Sequence, residues 1–178
     1  MRKHLLESEV DLLLEATRKS KHYPQRNYCL VLLIYRHALR LSEAINMTWS
    51  QIDFANETIY VERIKGSVSG THPLRPVEIM ALKLLKQDTN GSKHLFISQR
   101  NKPLGKRSVQ HLIALFGQEA GIEFPVHPHM LRHACGYRLA KEGRDTRVIQ
   151  AYLGHKDIRN TVIYTELSSK RFDDFFLE

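Results

Sequence analysis

The run Cys29-Leu30-Val31-Leu32-Leu33-Ile34-Tyr35 is the longest unbroken apolar stretch in the chain and the strongest single constraint on its fold. A helix that crosses a bilayer needs about 20 apolar residues, so this run is too short to span one. It has to be buried inside a protein core. Pro24 stands where a first-turn proline pre-sets the helical φ and gives up no hydrogen bond. The run therefore reads as the middle of a helix at the centre of the core, ending near Ala38.

The segments around it are mainly helical. Ser8-x-x-Asp11 reads as a capping box, and Val10, Leu13, Leu14 and Thr17 follow at helical spacing, which predicts a first helix of about three turns. Further helices are expected over Val77–Gln87, Ser108–Ala120, His129–Lys141 and Thr146–Leu153, punctuated at Asn90-Gly91, Pro103, Gly121 and Gly143. Between Gln51 and Pro76 the character changes. Thr58-Ile59-Tyr60-Val61 is rich in β-formers, Gly66–Gly70 has turn chemistry, and two prolines in Thr71–Val77 suit an edge strand. The expected fold class is mainly α with a small antiparallel β-sheet, in one domain over residues 1–178. Phe172, Phe175 and Phe176 fall at i, i+3 and i+4 and predict one more short helix after Tyr164.

Lys plus Arg outnumber Asp plus Glu by 27 to 19, a formal charge of +8 spread along the chain. That balance favours a polyanionic partner, with nucleic acid ahead of an acidic membrane. The first nine residues hold no apolar stretch of signal-peptide length, so the protein is expected to stay where it is made. Cys29 and Cys135 match neither a metal cluster nor a disulfide framework and read as small buried apolar residues in a reducing interior.

Four polar segments exceed what a core needs. In Leu39-Arg40-Leu41-Ser42-Glu43, Arg40 can offer a bidentate donor pair to a phosphate, with Glu43 to orient it, although a surface Arg40–Glu43 ion pair is the simpler alternative. In His127-Pro128-His129-Met130-Leu131-Arg132-His133, helical spacing brings Arg132 near two histidines. A zinc site there is disfavoured by the central arginine, by the proline between the first two histidines and by the lack of a carboxylate or cysteine at ligand spacing, while helix-capping and core histidines remain open. Gly154 suits a helix C-terminus, aiming His155 outward, and Tyr164 follows nine residues later. Tyr164 could be a nucleophile, or a packing residue like most of the seven tyrosines. Lys65 sits at the mouth of the predicted hairpin loop. Together these groups could run phosphoryl transfer without a metal: arginines neutralise the nonbridging oxygens, a phenol attacks, and an amine protonates the leaving alkoxide.

At these residues the chain resembles the tyrosine recombinase (phage-integrase-like) family. Ala38-Leu39-Arg40-Leu41-Ser42-Glu43 is similar to the family's first arginine motif, with alanine where a glycine is usual. His129-Met130-Leu131-Arg132, Leu153-Gly154-His155 and Tyr164 match the later boxes in order, and Lys65 corresponds to the hairpin lysine. The surrounding strings are most similar to bacterial fimbrial phase-variation recombinases.

The resemblance implies the catalytic-domain fold of that family without the separate N-terminal clamp domain of most members. It also implies a catalytic set of Arg40, Lys65, His129, Arg132, His155 and Tyr164. Tyr164 would form a 3′-phosphotyrosyl link, with His129 assisting removal of the phenolic proton, His155 binding a nonbridging oxygen and Lys65 acting as general acid. No cofactor or metal is implied. The implied partners are double-stranded DNA with inverted repeats, a homo-tetramer on synapsed sites and accessory DNA-bending proteins, in the bacterial cytoplasm at the nucleoid. Lys102, Lys106, Arg107, Arg144, Arg147 and Arg159 are candidates to meet the DNA backbone, and the Phe172/Phe175/Phe176 stripe is a candidate for docking on a neighbouring protomer. A type IB topoisomerase-like nicking-resealing enzyme and a non-catalytic DNA-binding regulator are the competing readings.

Overall fold

A computed structural model describes residues 2–64 and 66–166. The Phe172/Phe175/Phe176 helix therefore lies outside the described residues, as does Lys65. The elements run α1 (Glu7–Arg18), α2 (Pro24–Arg36), α3 (Leu41–Ile45), a 3-10 turn (Trp49–Gln51), β1 (Ile52–Asp53), β2 (Thr58–Val61), β3 (Gly70–Pro73), α4 (Pro76–Asp88), α5 (Lys106–Glu119), α6 (Pro128–Lys141), α7 (Thr146–Leu153) and α8 (Arg159–Thr165). The mainly α reading with a small antiparallel sheet is correct, and no helix among the described residues is long and apolar enough to cross a membrane.

Helix α2 is the axis of the core. Every residue from Arg26 to Tyr35 is buried, because α1, α4 and α6 cover its different sides. Fully burying a side chain such as Leu33 or Ile34 contributes about 1.5–3 kcal/mol. The apolar run is thus buried along its whole length, as its sequence requires.

The start of α1 differs from expectation. Its N-cap is Leu6, and Glu9 reaches back to accept the Leu6 backbone N–H at 2.8 Å. The carboxylate supplies the reciprocal half of the cap, which sets the helix start earlier than a Ser8 cap would. Two short helices, α3 and α8, were not evident from spacing. At five and seven residues they are too short to show a full period.

The sheet order is β1-β2-β3, all antiparallel, with Ile59 facing His72 and Val61 facing Gly70 across the hairpin. β3 is an edge strand, and Pro73 occupies its last position. Both cysteines are free and buried; burial pushes each thiol up to about 12.

Two helix C-termini come together and frame the site, their last carbonyls held by the same two arginines. α2 ends in a Schellman-type turn, in which Leu39 N–H donates to Ile34 O at 3.1 Å while Ala38 holds φ +50°. α7 ends the same way: His155 N–H donates to Gln150 O at 3.0 Å, and Gly154 holds φ +71°. A Cβ on Gly154 would lie 2.6 Å from Val68 O, so the close approach of the hairpin loop requires glycine there. Ala38 adopts its positive φ with a side chain, in the position where the resembling motif carries glycine.

Candidate active site

Helix C-termini carry partial negative charge and carbonyls without intrahelical partners. Here two guanidinium groups satisfy both ends. Arg132, only 2% exposed on α6, donates from Nη1 to Ala38 O and from Nη2 to Leu153 O at 2.8 Å. Arg63, just after β2, donates from Nη1 to Ala38 O at 3.0 Å and from Nη2 to His37 O at 3.0 Å and Tyr152 O at 2.9 Å. Burial, reinforced by Arg63 and Arg40, lowers the Arg132 pKa to about 10, so the group stays cationic at neutral pH.

Glu43 is the counter-charge. It is buried, and it takes the Arg40 backbone N–H at 2.7 Å, Arg40 Nη1 at 3.0 Å and Arg63 Nη1 at 2.8 Å. Although burial opposes ionisation, these donors together hold the Glu43 carboxyl below the usual carboxylate range. The simple surface pair between Arg40 and Glu43 is thus not what forms. Arg40, the N-cap of α3, keeps about a quarter of its side chain in solvent, and Glu43 holds it at the rim of the cationic cluster.

The remaining groups come from α6, from the residue after Gly154, and from α8. His155 Nδ1 is hydrogen-bonded to Thr161 Oγ1 at 2.9 Å; burial, then Arg132, Arg40 and Arg63, push its pKa down to about 4. His129 lies exposed on the first turn of α6, its ring edge-on to that of His133 at 4.5 Å. Desolvation, Arg132, His127 and Arg40 all lower its pKa.

Tyr164 is 3% exposed on α8, its ring parallel to that of His155 at 6.4 Å and edge-on to Tyr137 at 5.0 Å. Its Oη is 2.8 Å from His133 Nδ1. Burial raises the phenol to about 12, and Arg132 acts in the opposite direction. Gly136 makes the room, since a Cβ there would lie 2.7 Å from the tyrosine ring.

The structure therefore gathers Arg40, His129, Arg132, His155 and Tyr164 around the adjoining ends of α2 and α7. The position of Lys65 lies outside the described residues, although Arg63 anchors the strand that leads to it. Among the described residues, no three His, Cys, Asp or Glu side chains are grouped to hold a metal ion. Of the basic residues expected to meet DNA, Arg159 is paired with Asp157 at 2.6 Å and Arg144 lies 3.7 Å from Glu142.

Sequence reasoning did not assign Arg63 or His133 to the site. The i, i+4 spacing of His129 and His133 was the available signal for the second. For Arg63 there was none, because its four acceptors come from two segments far from it in the chain, residues 37–43 and Tyr152. The arrangement offers clustered guanidinium groups for an anionic oxygen-rich centre, neutral imidazoles and a buried phenol, which is equipment for nucleophilic attack on a phosphodiester.

Comparison with known proteins gives a consistent set of similarities. The phage integrase family matches residues 3–171. The type 1 fimbriae regulatory protein FimB of Escherichia coli K12 is 42% identical over 176 residues, covering 96% of this chain and 88% of its own length. FimE of the same strain is 40% identical over 177 residues, covering 96% and 89%. Among solved structures, the XerA recombinase superposes with a TM-score of 0.83 at 28% identity over 95% of this chain, which spans 62% of that protein.

Proposed function

Because the chain belongs to the phage integrase family, we propose that it is a site-specific tyrosine recombinase that inverts a promoter-bearing DNA segment controlling fimbrial expression. The similarity to FimB and FimE over nearly their whole length supports the fimbrial assignment. The observation that carries the chemistry is the meeting of Tyr164 with Arg132 and His155 at the adjoining helix ends.

Tyr164 Oη attacks the scissile phosphorus and forms a 3′-phosphotyrosyl link, while the P–O5′ bond breaks and releases a 5′-hydroxyl. The bond energy is kept in the ester, so no nucleotide cofactor is needed, and the arginines supply the charge neutralisation that a metal would otherwise give. Arg40 and Arg132 neutralise the charge of the pentacoordinate transition state, and His155 hydrogen-bonds a nonbridging oxygen. His129 assists proton removal from the phenol. Lys65 protonates the departing 5′-oxygen. The protein works in the cytoplasm, on nucleoid DNA. Four copies synapse two inverted repeats, with accessory DNA-bending proteins helping to bring the sites together.

The test is incubation with nicked suicide duplexes carrying the inverted repeats that flank fimbrial promoter segments, followed by mapping of the linked peptide. Wild type should give an SDS-resistant adduct at Tyr164, and Tyr164→Phe should bind DNA and give none. An adduct retained by Tyr164→Phe would overturn the assignment. A plasmid with two sites that is relaxed but never inverted would move the reading to a topoisomerase-like enzyme.

A further inference from the structure

The phenol of Tyr164 has a hydrogen-bond partner that the motif residues do not supply. Its Oη lies 2.8 Å from His133 Nδ1. The other imidazoles near it are arranged differently. His155 presents its ring face to the tyrosine and engages Thr161 through Nδ1, and His129 meets the edge of His133. One side of α6 thus carries Arg132 for charge, His133 for the phenol, and Gly136 to leave space for the ring.

We propose that His133 is the immediate proton acceptor for Tyr164 in DNA cleavage, a catalytic residue outside the six recognised from the sequence. The inference rests on the recombinase reading above.

The direction of the hydrogen bond follows from the two groups. The phenol is raised to about 12 and so keeps its proton. Burial, His129, Arg132, His4 and His127 lower His133 to about 4, so its ring is neutral. The O–H therefore donates, Nδ1 accepts, and Nε2 carries the ring proton. Around that ring stand His129, Arg132 and Tyr137 on α6, His127 at its N-cap, His4 ahead of α1, His155 after α7, and Tyr164 on α8.

As Oη bonds to phosphorus the phenolic proton becomes strongly acidic and passes to His133 Nδ1. The P–O5′ bond breaks, and the 5′-oxygen takes a proton from Lys65. The phosphate's negative charge in the same cluster offsets the cationic neighbours that otherwise disfavour an imidazolium. His129, edge-on to His133, is the next ring on the way to solvent. In rejoining, the 5′-hydroxyl attacks and His133 returns its proton to the phenol.

The experiment is single-turnover cleavage by wild type, His133→Ala and His133→Asn on the nicked duplex that gives the wild-type Tyr164 adduct. It is repeated on a duplex with sulfur replacing the 5′-bridging oxygen, a leaving group that needs no acid. Asn can still accept a hydrogen bond from the phenol but cannot take its proton. Both variants should bind DNA within about threefold of wild type and cleave about 10²–10³-fold more slowly. The defect should persist with the sulfur leaving group. Between about pH 6.5 and 8.5 the variants should gain about tenfold per pH unit, as hydroxide replaces the missing base, while wild type stays nearly level.

The proposal fails if either folded variant cleaves within about threefold of wild type, if His133→Asn alone restores the rate, if sulfur restores it, or if His133→Ala is faster. The last result would make His133 a restraint on the nucleophile. A wild type that forms no Tyr164 adduct on any such duplex would instead sink the recombinase reading itself.

Discussion

Two histidine pairs in this molecule have opposite surroundings. His37 and His72 are fully buried, with their Nδ1 atoms 3.1 Å apart, and His37 Nε2 lies 2.6 Å from Glu78 Oε1. Glu78 also accepts the Arg75 backbone N–H at 2.9 Å, and His72 stacks on Tyr152 at 3.9 Å. The network ties together the end of α2, strand β3 and the start of α4. Among the described residues, His129 and His133 have no carboxylate partner; they adjoin Arg132 and the Tyr164 phenol. The carboxylate makes the difference. It closes the first pair into a structural clasp, while in the second pair His133 turns Nδ1 to the Tyr164 phenol.

Arg132 lies between the two, since it donates to the carbonyl of Ala38, the residue after His37, and adjoins His133 in sequence. Arg132→Ala should have the largest effect. Single-turnover cleavage should fall by about 10³-fold or more, and urea unfolding should show a loss of about 3 kcal/mol as two buried carbonyls lose a charged donor. Full retention of cleavage would break the assignment of this arginine to the transition state.

Glu78→Gln isolates the clasp. It should lower stability by about 2 kcal/mol through a mispaired buried amide, while cleavage per folded molecule stays within about threefold. A tenfold drop in cleavage with folding intact would place the first pair in the chemistry too.

Acid sharpens the comparison further. Burial, His37 and Arg63 lower His72 to about 3, so the unfolded chain takes up a proton near pH 6.5 that the folded protein refuses. Stability from His72 is therefore present above about pH 6.5 and is lost as pH falls toward 3, at about 1.4 kcal/mol per pH unit. His133 and His155, both lowered to about 4, act in the same direction. Urea titrations at stepped pH should show a shallower acid dependence for His72→Gln than for wild type. Equal slopes would remove His72 as the group that titrates.

Ala38→Gly should do least. Relief of the φ +50° backbone and loss of a buried methyl oppose each other, leaving a net change below about 1 kcal/mol in thermal unfolding. A large loss of cleavage would show that the Ala38 methyl itself positions the arginines.

The helices were legible wherever apolar spacing and Pro or Gly punctuation agreed. α2 and α7 end where Ala38 and Gly154 suggested, and α4 begins one residue before its predicted start, at Pro76. The start of α1 was misplaced because Glu9, rather than Ser8, decides which backbone N–H is capped. α3 and α8 were invisible because each is held by the elements it packs on and not by a period of its own. The ordered boxes pointed to Arg40, His129, Arg132, His155 and Tyr164, and the fold brings these five together around the ends of α2 and α7.

What the linear chain determined by itself is the inventory: a core helix too apolar to be anywhere but the centre, a surplus of cations, and reactive groups in a recognisable order. Only the tertiary structure decided who faces whom. Two helix ends had to meet before Arg63 and Arg132 could find four carbonyls, and α8 had to settle on Gly136 before the phenol could reach His133. Such pairings depend on distances between segments many residues apart. Local propensity fixes a helix and its cap but carries no information about the helix that will arrive to complete it.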